Sequence, residues 1–99
     1  MNPERFEELV IKVDNIITEM DHSERSFFMK LPREDLITLH HGFGQFLRNH
    51  LRLWEQKWEP QIENDVDVSL DHPDSISMRL IEEVWDRRHK EPVTILKDY

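Results

Sequence analysis

Apolar residues recur at helical spacing in three stretches of the chain, and each stretch has its own start signal. In the first, Phe6, Val10, Val13, Ile17 and Met20 step by four and three, with Leu9 and Ile16 widening the stripe. Asn2 before Pro3 is a capping side chain followed by the ring that suits a first turn. A helix over residues 3–20 is expected, with Glu8, Lys12, Asp14, Asn15 and Glu19 on its far face. Asp21, His22 and Ser23 break the pattern. Ser23 is the expected cap of a short second helix that carries Phe27, Phe28 and Leu31 as an apolar plug.

The central stretch runs from Pro32 to Trp54. At ~100° of rotation per residue, Leu36, Leu39, Phe43, Phe46, Leu47, Leu51, Leu53 and Trp54 share one wide face, and His40 and His50 fall on it too. His41, Gln45, Arg48 and Arg52 point away. The spacing predicts one continuous helix with a weak point at Gly42 and Gly44, each costing ~1 kcal/mol relative to alanine. Either glycine could also admit a close neighbouring backbone.

Pro60 should end any helical continuation. Residues 62–70 alternate only in part, which allows a short extended segment. His72 and Pro73 then open a last helix, with Ile76, Leu80, Ile81, Val84 and Trp85 at helical spacing to about His89 and Pro92 closing it. The tail Val93–Leu96 would pack on the core or pair with 66–70. The expected fold is all-α: a small helical bundle of three main helices plus one short helix, an acidic loop between the last two, and a single domain over 1–99.

Charge sharpens this picture. The net charge is −8, and it is clustered: residues 55–74 carry seven acids and one base, whereas residues 25–54 carry five bases and two acids. An acidic surface disfavours phosphate backbones, whose binding rests on cationic side chains, so direct nucleic-acid binding is not expected. It favours a protein partner with a basic surface. The chain has no cysteine, which removes disulfides, thiolate catalysis and cysteine metal sites. No stretch approaches the ~20 apolar residues of a membrane span, and the opening Asn2-Pro3-Glu4 is not a signal peptide, so a cytoplasmic protein is expected.

Six histidines raise the question of a metal, but no two of them stand three or four apart, and neither a metal nor a cofactor is expected. Gly42 and Gly44 do not follow a strand, as a phosphate cradle would require. Arg48 is either an internal brace, with Asp74 as its partner, or part of an exposed patch with His41 and Arg52. A polar cluster of His41, Arg48, Asn49, Arg52, His72 and Asp74 is the candidate ligand site. Trp54 and Trp85 lie on apolar faces and should be core, while Trp58 beside Pro60 is a candidate binding anchor.

Two motifs stand out as a pair: His40-His41-Gly42-Phe43-Gly44 with Arg48-Asn49 and Leu53-Trp54, and then His72-Pro73-Asp74 leading into an apolar helix. Together they resemble a family of small bacterial and phage proteins known only as a domain of unknown function. The resemblance covers about residues 33–88; it departs at Gln45, where the family has an aromatic or apolar residue, and at Ser75, where a second acid often stands. It implies a bacterial or phage origin and a helical fold, and it brings no activity.

The functional expectation is therefore a non-catalytic acidic protein-binding module, in one form a bacterial or phage inhibitor or immunity-type protein that blocks a basic surface. Trp58, Glu59, Glu63, Asp65 and Asp67 are its expected contact residues. The competing expectation is a small enzyme, or an anion- or ligand-binding domain, built on the His/Arg/Asn/Asp cluster. Self-association is a third.

Overall fold

A computed structural model describes residues 2–55, 62–67 and 72–96, with side chains to Asp65 in the second block and to Lys90 in the third. Trp58, Glu59 and Pro60 lie outside the described residues.

The first helix, α1 (Pro3–Glu19), forms as its pattern predicts. The Asn2 side chain accepts from the amides of Glu4 and Arg5 at 2.7 and 3.4 Å. Its buried stripe is Leu9, Val10, Val13 and Ile17. The second helix, α2 (His22–Lys30), is capped by Asp21 rather than Ser23: Asp21 Oδ1 takes the amides of Ser23 and Glu24 at 2.7 and 3.3 Å. An aspartate one residue before the first turn reaches two orphan amides at once, and that geometry outranks the serine inside the helix. Of the expected plug, two of three residues turn inward, Leu31 only partly. Phe28 is buried, whereas Phe27 is 61% exposed.

The central stretch is helical but not a uniform rod. It winds as a 3-10 helix over Arg33–Leu39, as a π-turn over His40–Gly44, and as a short α-helix, α3 (Gln45–His50). Seven residues is long for 3-10 winding. The glycines do not break the chain; they lie inside the wide π-turn, where a low helix propensity eases departure from α geometry. The helix stops at Leu51, short of the expected Trp54, because Arg52 adopts a left-handed conformation (φ 56°). For a non-glycine residue that costs ~1–3 kcal/mol. A 3-10 turn, Leu53–Glu55, follows.

Changes of winding also change which residues are inside. Leu36, Leu47, Leu51 and Leu53 are buried, as expected, but Phe46 and Trp54 are 47% and 50% exposed. Arg48, expected to point away from the apolar face, is buried at 5% exposure. The two glycines differ too. A Cβ on Gly42 would meet open space, while one on Gly44 would lie 3.2 Å from Arg48 Nη1 and 3.3 Å from the Leu39 carbonyl. Gly44 is thus the position where a missing side chain makes room for the arginine. In urea unfolding, Gly42→Ala should be stabilising or neutral, within about +1 kcal/mol. Gly44→Ala should cost about 1 kcal/mol or more, since a backbone carbonyl and a braced arginine must shift. Equal effects at the two positions would contradict this difference.

Between the central stretch and the last helix, Ile62–Glu63 (β1) and Val66–Asp67 (β2) pair antiparallel, Ile62 with Asp67 and Glu63 with Val66. Asn64 and Asp65 make the turn with positive φ at both positions, the arrangement a two-residue hairpin demands. This ribbon is the extended segment that the alternation allowed.

The last helix, α4, runs Pro73–Leu96, through Pro92 rather than closing there. A proline's fixed φ is helical, so the ring is compatible with the winding at the cost of one backbone hydrogen bond. Residues 93–96 are therefore helical, not paired with the ribbon. Helix α4 packs against α1, α2, α3 and all three irregular turns, and its Ile76, Leu80, Ile81 and Val84 are fully buried. The fold is all-α, organised on the last helix rather than on the central one.

Polar contacts lock α4 to its neighbours. Arg87 forms a two-pronged pair with Glu7 at 2.7 and 2.8 Å and also reaches Glu83. The Arg87 guanidinium holds the Glu7 carboxyl below the usual carboxylate range. Arg88 donates to the Asp14 side chain and carbonyl and to Thr18, and Arg33 pairs with Asp86 at 2.9 and 3.1 Å. Trp85 donates to the Leu31 carbonyl and stacks on His89, which bridges to the Met29 carbonyl. Among the described residues, no helix is long and apolar enough to cross a membrane.

Candidate functional site

The two sequence motifs meet in space at one polar junction. The π-turn and Gly44 place Arg48 beneath the start of α4. There its Nε lies 3.3 Å from Asp74 Oδ1, Nη1 donates to Ser77 Oγ at 3.0 Å, and Nη2 donates to the His40 carbonyl at 3.1 Å. All three guanidinium nitrogens are committed inward. His72 Nδ1 accepts the Asp74 amide at 3.0 Å, capping α4 from outside. The His40 ring lies 3.9 Å from Asp74, and the His72 ring meets the exposed Trp54 edge-on at 5.9 Å. One atom is left over: His40 Nδ1 is buried without a hydrogen-bond partner among the described residues.

Of the six residues expected to cluster, Arg48, His72 and Asp74 come together and three do not join them. His41 is exposed, its ring set edge-on to that of His40 at 5.0 Å between centroids. Asn49 is exposed. Arg52 pairs with Glu55 at 3.5 Å, both side chains in solvent. Of the expected partner-contact residues, Glu63 and Asp65 stand exposed on the ribbon, and Asp67 is on β2. Among the described residues, no three His, Asp or Glu side chains could hold a metal ion.

Two concave sites lie elsewhere among the described residues. The first is an apolar groove of about 610 Å³ between the end of α1, α2 and the π-turn. Phe27 and Phe46 form its exposed lips, with Ile16, Met20, Phe28 and Phe43 inside. Phe43 stacks on Phe46, and Phe46 in turn on His50. Gly42 lines it as well, where a side chain would project into open space. Glu24 is the one charged residue of the lining. Asp21, which opens the same helix, is held below the usual carboxylate range by the amides of Glu24 and Ser23 and so stays ionised. In sequence the adjacent pair Phe27-Phe28 reads as one apolar plug, yet on a two-turn helix two neighbouring phenylalanines cannot both face the core, and Phe27 is left at the groove.

The second site is a cavity of about 540 Å³ lined by Arg5, Lys12, His50, Leu51, Arg52 and Glu55. It shares no lining residue with the groove.

No curated protein and no solved structure matches the chain. A family model does, over residues 2–88, so the match takes in α1 and α2 as well as the two motifs that meet at Arg48 and Asp74. The chain belongs to the family described as Domain of unknown function (DUF6794).

Proposed function

We propose that this chain is a non-catalytic protein-binding module whose apolar groove receives an amphipathic, basic helix of a partner protein. The observation that carries the reading is the groove itself: two phenylalanine lips stand in water, apolar side chains lie between them, and the one charge in the lining is negative. A helix laid into such a groove buries its apolar face, and cationic residues on its flanks meet Glu24, Asp21 and a surface of net charge −8. Glu63, Asp65 and Asp67 on the ribbon add acidic charge suited to the same kind of partner, and Trp58 and Glu59 are the further contact residues of this reading. The setting this reading carries is the cytoplasm of a bacterium or a phage-infected cell. There the module would act as an inhibitor or immunity-type protein by covering a basic surface.

The competing reading, a ligand or catalytic site at the polar junction, has less support. Arg48 spends its donors on Asp74, Ser77 and a backbone carbonyl, and neither of the two cavities described above is lined by His40, Arg48, His72, Asp74 or Ser77.

Affinity capture from the native host, read by mass spectrometry, would supply the partner, and variants then test the site. Phe27→Ser with Phe46→Ser should weaken that complex by about tenfold or more while leaving the melting temperature nearly unchanged, because exposed positions contribute little to stability. Neutralising Glu24, Glu63, Asp65 and Asp67 should weaken it further and flatten its salt dependence. A complex indifferent to both sets, or one whose bound segment is acidic, would overturn the reading. A protein that binds only its own copies in light scattering would do so too.

A further inference from the structure

We propose that the cavity between α1 and the Leu51–Glu55 turn is a binding site for a phosphate monoester. It is independent of the groove and of the partner reading. The chain as a whole is acidic, yet this cavity is lined by three permanent cations, Arg5, Lys12 and Arg52, against one carboxylate, Glu55. Arg5 and Lys12 are seven residues apart on α1 and so share one face. Lys12 forms no ion pair among the described residues. The neighbours of the two arginines hold them loosely: Arg5 to Glu8 at 3.2 Å and Arg52 to Glu55 at 3.5 Å, with all four side chains well exposed. An incoming dianion offers each guanidinium a shorter, charge-assisted contact than the carboxylate it leaves.

The backbone contributes a second observation. Arg52 occupies the left-handed position that ends a helix, where glycine is the unstrained choice. An arginine there places a guanidinium at the cavity, which a glycine could not do. The volume, about 540 Å³, exceeds what a bare phosphate needs and lies in the range of small-molecule sites. Leu51 supplies an apolar contact for an organic group, with His50 beside it, so the class is an ester rather than the free ion. One compact dianion on three cations does not conflict with the acidic surface that disfavours long phosphate backbones.

The test is a titration of the intact, isotopically labelled chain by NMR, with inorganic phosphate and glycerol 3-phosphate as probes and sodium chloride at matched ionic strength as the reference. Saturable shifts at the amides of Lys12, His50, Leu51 and Arg52, stronger for the ester, are expected. Arg52→Gly removes the guanidinium and also the left-handed strain, so it should fold at least as well and bind about tenfold more weakly or worse, the loss typical of one charge-assisted contact. Lys12→Gln, on an exposed helix face, should weaken binding similarly. Shifts no different from those with chloride, shifts centred elsewhere, or unchanged titration of both variants would overturn the proposal.

Discussion

Exchange of Arg48 for methionine is expected to lower the unfolding free energy by about 2–4 kcal/mol, and the melting temperature by roughly 8–32 °C at the ~4–8 °C per kcal/mol typical of this size. Methionine keeps most of the aliphatic stem, so the loss measures the polar head. Three interactions go with it: the pair with Asp74, the hydrogen bond to the fully buried Ser77, and the bond to the His40 carbonyl. Breaking a buried charge pair generally costs ~3–5 kcal/mol because a charge is stranded. Here the stranded carboxylate is 44% exposed and can rehydrate, which puts the figure toward the lower end. Ser77 retains its bond to the Asp74 carbonyl, which limits the loss further. Asp74→Asn should cost about 2–4 kcal/mol as well, since it leaves the buried Arg48 guanidinium with two neutral acceptors and no counter-charge. Lysine at position 48 should not rescue: one ammonium cannot reach three acceptors held in a guanidinium's plane. Thermal and urea unfolding followed by circular dichroism would check the series. Methionine at 48 within about 0.5 kcal/mol of the parent would mean that the two motifs meet without stabilising each other.

How much of this junction was legible in the chain turns on the winding of residues 33–50. The pairing of Arg48 with Asp74 was expected as one of two options, because an arginine amid an apolar helix and an aspartate at a helix start are complementary in charge and reach. Its depth was not. A helical wheel advances every residue by ~100°, but 3-10 winding advances each by ~20° more and a π-turn advances each by less. After seven residues of the first and five of the second, Phe46 and Arg48 have exchanged the places a uniform helix gives them. Nothing in the residue pattern announces where one winding gives way to another. The same holds at Arg52, whose left-handed backbone ends α3 without a glycine to signal it. Where winding is uniform and capping residues stand at the ends, as in α1 from Asn2 to Glu19, the pattern and the structure agree.

The site shows the same division. Charge clustering was readable by count, and the proposal of a basic partner rests on it. The groove was not readable, because it needs Ile16 of α1, Met20 just past its end, Phe27 of α2 and Phe46 of α3 to share one depression. Those residues read as core when each helix is taken alone. The cationic cavity was missed for a related reason: its cations come from α1 and from a turn forty residues later, on a chain whose sum is negative.

Truncation of Leu80 to alanine is expected to cost about 3 kcal/mol, within the ~2–5 kcal/mol range for a leucine removed from a packed interior. Leu80 is fully buried on the one helix that touches every other helical segment. The elements around it are held by ion pairs at Glu7, Asp14 and Asp86, so they are poorly placed to collapse into the space left behind. Domains of this length are stable by only ~5–15 kcal/mol, so one such change takes a large share of the total. The urea midpoint should fall while the slope of the transition is unchanged, since the surface exposed on unfolding is nearly the same. Ile11 gives the control. It is as apolar as Leu80 but 53% exposed on α1, and Ile11→Ala should change stability by no more than about 0.5 kcal/mol. Comparable losses at the two positions would mean that the α1 surface carrying Ile11 is covered in solution. The apolar residues in water would then be part of the core, and the groove at Phe27 and Phe46 would lose its claim to be a binding surface.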